Sequence, residues 1–474
     1  MRSITELPGP RGLPLAGNLL QLDLKQLHRA LERWSNEFGT LYTFKLGWKP
    51  VVVIADPELI QTILRQRPKV YRRLGTIESV FDEMGITGVF SAEGDDWKRQ
   101  RRLTAHALDA AHLRQLFPTL IKVTERLRDR WNKSARSGAA TDVQQDLMRY
   151  TVDVTTNLTF GYDMNTLEKE GEVIQDHLEK IFPMINRRIN APVPFWRYLK
   201  LPADYALDQA LVAVRETING FITQSKERLA QNPELAAHPT NFLEAMLTAR
   251  DEGNAAFSDE EIYGNALTML LAGEDTTANT LAWIIHLMTE HPDVQPRMQA
   301  EVNQVVGGAG MLSQLADAER LEYIEAVTHE TMRLKPVAPV LFFEPVEDVE
   351  IGGVAIPKNT ALMLPTLHGP LQDNHFGAAD QFRPERWLEK APGSGCPHNS
   401  RAFVPFGAGP RFCPGRQLAM LEIKMVMAML CGAFQVTTTE PPQTVRETFS
   451  FTMMPENLLV RFKLLQAGSK TVPT

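Results

Sequence analysis

Cysteine is scarce in this sequence: three residues, Cys396, Cys413 and Cys431, in a chain of 474. That excludes a disulfide framework and suits a reducing compartment, so each cysteine has to be read from its own surroundings. Long apolar runs are missing as well. The opening MRSITELPGPRGLPLAGNLLQLDL lacks the roughly 20 uninterrupted apolar residues of a membrane span and has no signal-peptide core. The expectation is a cytoplasmic chain with no integral membrane anchor. Positive charge is not in excess: 50 Lys and Arg against 57 Asp and Glu leave a formal net charge of -7, which argues against nucleic acid as the partner. No internal repeat, low-complexity tract or Gly/Ser linker divides the sequence.

What is present is a 43% hydrophobic content, ample for a large core. Pro8, Gly9, Pro10, Gly12 and Pro14 exclude helix at the start, and helical pattern begins near Leu24. The run from Leu41 to Pro57 reads as a hairpin turning at Gly47 to Pro50. Other strand-like pieces start at Val349 and lie in the C-terminal FSFTMM and LLVRFKLL segments. Between about residues 95 and 335 apolar positions recur at helical spacing. The fold class is therefore mainly α with a small β region. The chain is expected to be one domain, residues 1–474. Its β-rich lobe covers about 1–70, with strands from about 340–365 and 448–466 joining the same sheet. Its helical lobe covers about 71–339 and 414–432.

The most informative stretch is FGAGPRFCPGRQLAMLEIKMVMAML. Gly407 and Gly409 permit a backbone reversal, Pro414 suits a first helical position, and the free amides of the helix start can donate to a Cys413 thiolate, lowering its pKa. A soft anionic sulfur so placed suits an axial ligand for haem iron. An isolated cysteine is more often a small buried hydrophobe, which is how Cys431, inside an apolar helix, is read. Cys396 also precedes proline, but in a polar loop with no helix after it. With His398 it offers two ligands where zinc usually takes four.

From Ser258 to His291 runs the longest helical pattern, roughly 50 Å, opened by a Ser258/Glu261 capping box. Inside it sits AGEDTT, an unfavourable helix interior in which a solvent face explains at most one of Glu274 and Asp275. Small Ala272 and Gly273 let a flat cofactor lie against the backbone. Thr276 with Asp275 beside it can relay protons, and local helix distortion is expected. Elsewhere Glu330 and Arg333 share one helix face, as do Trp97 and Arg101, whose indole and guanidinium can reach one anion.

These segments resemble cytochrome P450 in the expected order along almost the whole chain. The resemblance implies a long central helix over haem b, with Cys413 as the iron ligand, Phe406 packed near it and Arg411 at a propionate; Pro405, Pro414 and Gly415 complete the loop. It makes the Trp97/Arg101 helix a propionate-binding element, sets Ala272 and Gly273 beside the cofactor, and gives Asp275 and Thr276 proton delivery to dioxygen. Arg386, in FRPERW, would join Glu330 and Arg333 in a buried network. One departure is Phe343 and Glu344, where relatives often carry another basic propionate contact. The implied activity is monooxygenation of a hydrophobic small molecule such as a fatty acid, terpenoid or steroid. Electrons would come from a separate partner of ferredoxin or flavodoxin/flavoprotein type, because no such module follows residue 474, and would enter over a basic face of Arg99, Arg102, Arg416 and Lys424. Gly75 to Gly88, the 181–196 segment and Val337 to Phe342 would line the pocket, with Lys49 or Arg187 available to a carboxylate and the APVPFW loop, within 182–196, available to a membrane surface. A peroxygenase, a redox-neutral haem isomerase and a non-enzymatic haem sensor remain alternatives.

Overall fold

A computed structural model describes residues 2–169, 174–191, 193–249, 257–307, 310–389, 398–439 and 445–465. The N-terminal part is built on strands β1 (Leu41–Leu46) and β2 (Lys49–Ile54), preceded by helix α1 (Leu27–Phe38) and followed by α2 (Pro57–Arg65). The expected hairpin forms, turning at Gly47 and Trp48. Tyr42 and Phe44 alternate inward on β1, while Val51 to Ile54 are buried throughout because β2 is covered on both faces. Strands β3 (Tyr71–Arg73), β4 (Val340–Pro345) and β5 (Ala361–Pro365) complete a five-stranded sheet in the order β1-β2-β5-β4-β3. Only β2 and β5 run parallel, with Val51 opposite Ala361. Thus about 300 residues, largely helical, intervene between paired strands; Val340–Pro345 and Ala361–Pro365 return to the N-terminal sheet as expected, whereas Val349–Ile351 and Val354–Ile356 form a separate sheet with Arg2–Ser3.

The C-terminal strands do not join that sheet. Strand β6 (Phe434–Thr438) pairs with β9 (Leu459–Leu464), which also takes the short strand Thr141–Asp142, and β7 (Arg446–Ser450) pairs, among the described residues, with β8 (Thr452–Glu456) alone. Expecting 448–466 in one common sheet was therefore wrong. Phe434 and Phe462 pack on Trp131 in the helical part instead, and the β7–β8 turn lies against the central helix.

The helical part contains α3 (Gly94–Ala107), α4 (Ala110–Ser137), α5 (Val143–Phe160), α6 (Asp259–Glu290), α7 (Glu322–Leu334) and α8 (Arg416–Ala433). Helix α6, 32 residues long, is capped as its sequence dictates: Ser258 Oγ accepts from Glu261 N–H while the Glu261 carboxylate accepts from Ser258 N–H. It is buried on nearly every side because α5, α7 and α8 pack around it. It carries the acid–threonine segment and packs against the cysteine helix, which is the framework of the site.

Candidate active site

The loop from Pro405 to Gly415 turns back on itself. Cys413 N–H donates to Phe406 O at 2.9 Å and Gly407 N–H to Val404 O at 3.0 Å. Gly409 has φ of 69°, and a Cβ there would stand 2.6 Å from Leu64 O, so the turn is seated directly on the end of α2. Helix α8 starts at Arg416 with Gly415 as its N-cap, and Ala419 N–H donates to Gly415 O. Pro414 is thus outside the helix rather than at its first position, because the first helical bond closes on Gly415. The amides of Gly415 and Arg416 do donate to the Cys413 sulfur. They do not dominate: burial raises the free thiol, while those amides and the Arg101 charge pull it down. A coordinated metal ion inverts that balance, since it binds the thiolate.

Helix α3 is joined to this loop by both of its predicted residues. Arg101 Nη2 donates to Phe412 O at 2.5 Å, and the Arg411 guanidinium lies 4.7 Å over the buried Trp97 ring. Trp97 thus packs its ring against Arg411, on the same helix as Arg101. The Phe406 ring is 6.5 Å from Phe412 and stacks under Arg416. Arg411 Nη2 also donates to Ala92 O and to Glu93 Oε2, each at 2.6 Å. Two arginines that sequence reading missed reach the same carboxylate, Arg67 through its guanidinium and Arg73 through its backbone N–H, the Arg73 guanidinium donating to Phe90 O. Burial, and then the neighbouring like charges, lower Arg67 to about 8 and Arg73 to about 9. Only their position in space reveals them, since neither belongs to a motif.

On α6, Ala272 is accessible and Gly273 and Thr276 half-accessible, in a helix otherwise buried around them. The expected distortion is absent. The helix runs unbroken, and Thr276 Oγ1 donates to Ala272 O at 2.9 Å, Thr280 Oγ1 to Thr276 O at 2.8 Å, so the hydroxyls are satisfied within it. Gly273 also serves helix packing: a Cβ there would stand 2.7 Å from Thr155 Oγ1 of α5. Glu274 and Asp275 are both buried, so neither lies on a solvent face. Asp275 accepts from Thr452 Oγ1 at the β7–β8 turn. Burial pushes its carboxyl up to about 6, and the Thr452 hydroxyl and Asn279 side chain hold it from rising further. Glu274 is raised well above the usual range by burial and then by Asp275 and Glu179, and its Oε1 has no hydrogen-bond partner.

Behind the cysteine loop the anticipated Glu330 network is formed. Arg333 grips Glu330 through Nε and Nη2 at 2.9 and 2.7 Å, Arg386 Nε reaches Oε1 at 3.0 Å, and Trp387 Nε1 donates to Oε2. All three charged groups are fully buried. The basic face is only partly as expected. Arg102 and Arg416 are exposed, but Lys424 is buried on Ala318 O and Glu325, and Arg99 is engaged by Glu261 and Phe257. Arg187 stacks on Phe195, whereas Lys49 is exposed. At the departure, Glu344 is held by Arg72 Nε at 2.7 Å and Phe343 is buried. Cys431 is buried as expected, and Cys396 lies outside the described residues.

These residues fit a haem. Cys413 supplies a sulfur with two amide donors; buried Arg73 and Arg411 each retain an Nε with no acceptor, suited to carboxylates; and Ala272 leaves α6 accessible. A mainly helical fold combining such a sulfur with an Ala-Gly-x-acid-Thr segment defines the haem-thiolate oxygenases. The cytochrome P450 family model matches residues 7–462, and the chain belongs to that family, whose members bind haem through an axial cysteine thiolate and act as monooxygenases. Cytochrome P450 3A13 of Mus musculus is 28% identical over 439 residues, covering 91% of this chain and 85% of the relative. Protein LUTEIN DEFICIENT 5, chloroplastic, of Arabidopsis thaliana is 25% identical, covering 85% and 69%. Among solved structures, the cytochrome P450DA heme domain superposes with a TM-score of 0.85 at 22% identity, covering 97% of this chain and 98% of that one. Among the described residues no helix is long and apolar enough to cross a membrane.

Proposed function

We propose that residues 1–474 work as one catalytic unit that hydroxylates or epoxidises a hydrophobic small molecule, a fatty acid, terpenoid or steroid, in the cytoplasm. Haem b is held by Cys413, with Arg411, Arg101 and Trp97 at its propionates and Phe406 against the sulfur loop. When bound, it supplies the oxygen chemistry: one atom of dioxygen enters a C–H or C=C bond, and the other leaves as water after uptake of two electrons and two protons. The chain's own residues hold the protons. Asp275, with an ionisation near neutrality, exchanges protons, and Thr276 presents a hydroxyl on the accessible strip of α6. That pair favours dioxygen over peroxide as oxidant and an enzyme over a sensor.

An apolar substrate is supported by four phenylalanines from separate segments. Phe451, at the β7–β8 turn, stacks on Phe182 at 5.6 Å and meets Phe81 and Phe90 edge-on, with φ of 74°. A bulky residue held in the left-handed region marks a position over-determined by its surroundings, as in a binding site. Electrons come from a separate ferredoxin, flavodoxin or flavoprotein whose acidic face meets exposed Arg102 and Arg416.

The observation that carries the reading is the Cys413 sulfur accepting from the amides of Gly415 and Arg416 at the start of α8. The reduced, carbon-monoxide-bound spectrum tests it. The thiolate-type red-shifted Soret band is expected in the wild type and absent in Cys413→Ser. A folded, haem-loaded wild type without that band overturns the reading.

A further inference from the structure

Two guanidiniums, of Arg411 and Arg67, converge on the Glu93 carboxylate beside the cysteine loop, and Arg73 meets it through its backbone while its guanidinium donates to Phe90 O at 3.1 Å. Arg411 Nη2 lies 2.6 Å from Glu93 Oε2, the Arg73 backbone N–H donates to Oε1 at 3.3 Å, and Arg67 Nη2 stands 3.8 Å from Oε1. The next nearest acid, Glu78, is shared with Arg72 at 4.0 Å. Three buried cations against one anion leave positive charge uncompensated, which an interior tolerates only when a further anion completes it.

Arg67 is the least satisfied member. Its side chain is 6% exposed, and neither Nε nor Nη2 has a hydrogen-bond acceptor. Its guanidinium lies 4.3 Å over the Phe343 ring, which occupies the flat face of the group and leaves the N–H edge free. That planar fork is matched by a carboxylate. Arg67 lies two residues past α2, whose end carries the Gly409 turn, and it shares Glu93 with Arg411, so its edge stands beside the Cys413 loop.

We propose that Arg67 binds a haem carboxylate, its side chain serving from the α2 end where strand β4 presents Phe343. This rests on the haem reading above. The cradle so completed is a dicarboxylate site of Arg67, Arg73 and Arg411, with Glu93 spacing the guanidiniums.

The test uses holoenzyme: wild type, Arg67→Met and Arg67→Lys, with haem transfer to excess apomyoglobin and the midpoint potential of the iron as readouts. Loss of one charge-assisted hydrogen bond predicts release about tenfold faster in Arg67→Met. The potential should also become more negative, because removing a cation favours the ferric state, and Arg67→Lys should recover most of both. Glu93→Gln, which removes the competing anion, is the second variant. It should raise the potential without speeding release, an outcome a structural ion pair would not give. Thiolate-bound haem released from Arg67→Met at the wild-type rate, with an unchanged potential, overturns the proposal alone. Absence of thiolate-bound haem in the wild type overturns the parent reading and this proposal together. If Arg67→Met leaves haem release unchanged but weakens binding of laurate relative to dodecanol, the cradle serves a substrate carboxylate and the proposal is wrong.

Discussion

The Thr452 hydroxyl donates to the Asp275 carboxylate, tying the turn between β7 and β8 to the acid in the middle of α6 across 177 positions of sequence. Both side chains are buried. Their bond does two things. It gives the carboxyl a partner of its own while the Thr276 hydroxyl is bound to Ala272 O, so the two proton-handling groups are neighbours in sequence with separate partners. It also connects Asp275 to Phe451, the adjacent residue in the aromatic cluster, so whatever seats against that ring acts one residue from the donor that sets the acid's ionisation.

Removing the donor should therefore move Asp275. Burial raises the carboxyl to about 6, and the Thr452 hydrogen bond opposes that rise, so Thr452→Val shifts the ionisation further upward and leaves less carboxylate at neutral pH. The infrared carboxyl band that disappears in Asp275→Asn reports the shift. Thr452→Ser, which keeps the hydroxyl, should titrate like wild type, and an unmoved band in Thr452→Val would contradict the argument.

Asp275 also has a stability consequence. Its folded-state ionisation lies above the ordinary value of 3.8, so its contribution is whole below pH 3.8 and is lost as pH rises through about 6. Asp275→Asn should flatten that decline, gaining on the order of 3 kcal/mol relative to wild type between those limits. Denaturation midpoints measured from pH 4 to pH 8 give the comparison. A parallel decline in both proteins would show that the carboxyl is not held as described.

Glu447 on β7 has the opposite sign. Burial alone would raise it, but His28, Arg29 and Lys335 hold it well below its ordinary value of 4.5. Arg29 Nε donates at 2.6 Å and the His28 ring lies at 3.0 Å. The stabilisation is present above pH 4.5 and is lost as pH falls below it. Glu447→Gln should cost about 1.5 to 3 kcal/mol at pH 7 and weaken the acid dependence of unfolding. Identical acid profiles would remove Glu447 as its source.

Much of this was legible locally. The β1–β2 hairpin, the Ser258/Glu261 cap and the cysteine loop are each specified by residues within a few positions of one another, so turn chemistry and periodicity suffice to find them. The Glu330, Arg333 and Arg386 set spans 56 residues and was found only through family resemblance. What stayed hidden depends on partners brought together by topology: Thr155 against Gly273, Glu325 under Lys424, Glu261 on Arg99, and Arg67 beside Glu93. The C-terminal strands were misplaced for the same reason. Alternation shows that a segment is a strand but not which edge receives it, and the aromatic faces of Phe434 and Phe462 found Trp131.

The Glu330 network predicts an asymmetry between its members. Glu330→Gln keeps the shape but leaves Arg333 and Arg386 buried without a counter-ion, a loss of roughly 3 to 5 kcal/mol. Arg386→Met leaves the Arg333–Glu330 pair intact at 2.7 Å and should cost less. Thermal unfolding of the two holoproteins decides it. Equal losses would mean that Glu330 works through packing rather than charge.

Thr276 is the sharpest test of function on α6. Its hydroxyl is half-accessible and makes one bond, to Ala272 O within its own helix, so Thr276→Ala removes no tertiary contact made by that hydroxyl and places a better helix former in the interior. Fold, haem content and the carbon-monoxide spectrum should therefore be unchanged. Proton handling should not be: with the hydroxyl gone, reduced dioxygen escapes as hydrogen peroxide, and peroxide released per electron pair consumed should rise several-fold with a ferredoxin-type donor system. Thr276→Ser restores an oxygen at the same position and should keep the wild-type ratio. If Thr276→Ala kept that ratio too, proton delivery would have to be reassigned to Asp275 and Glu274, the buried acids beside it.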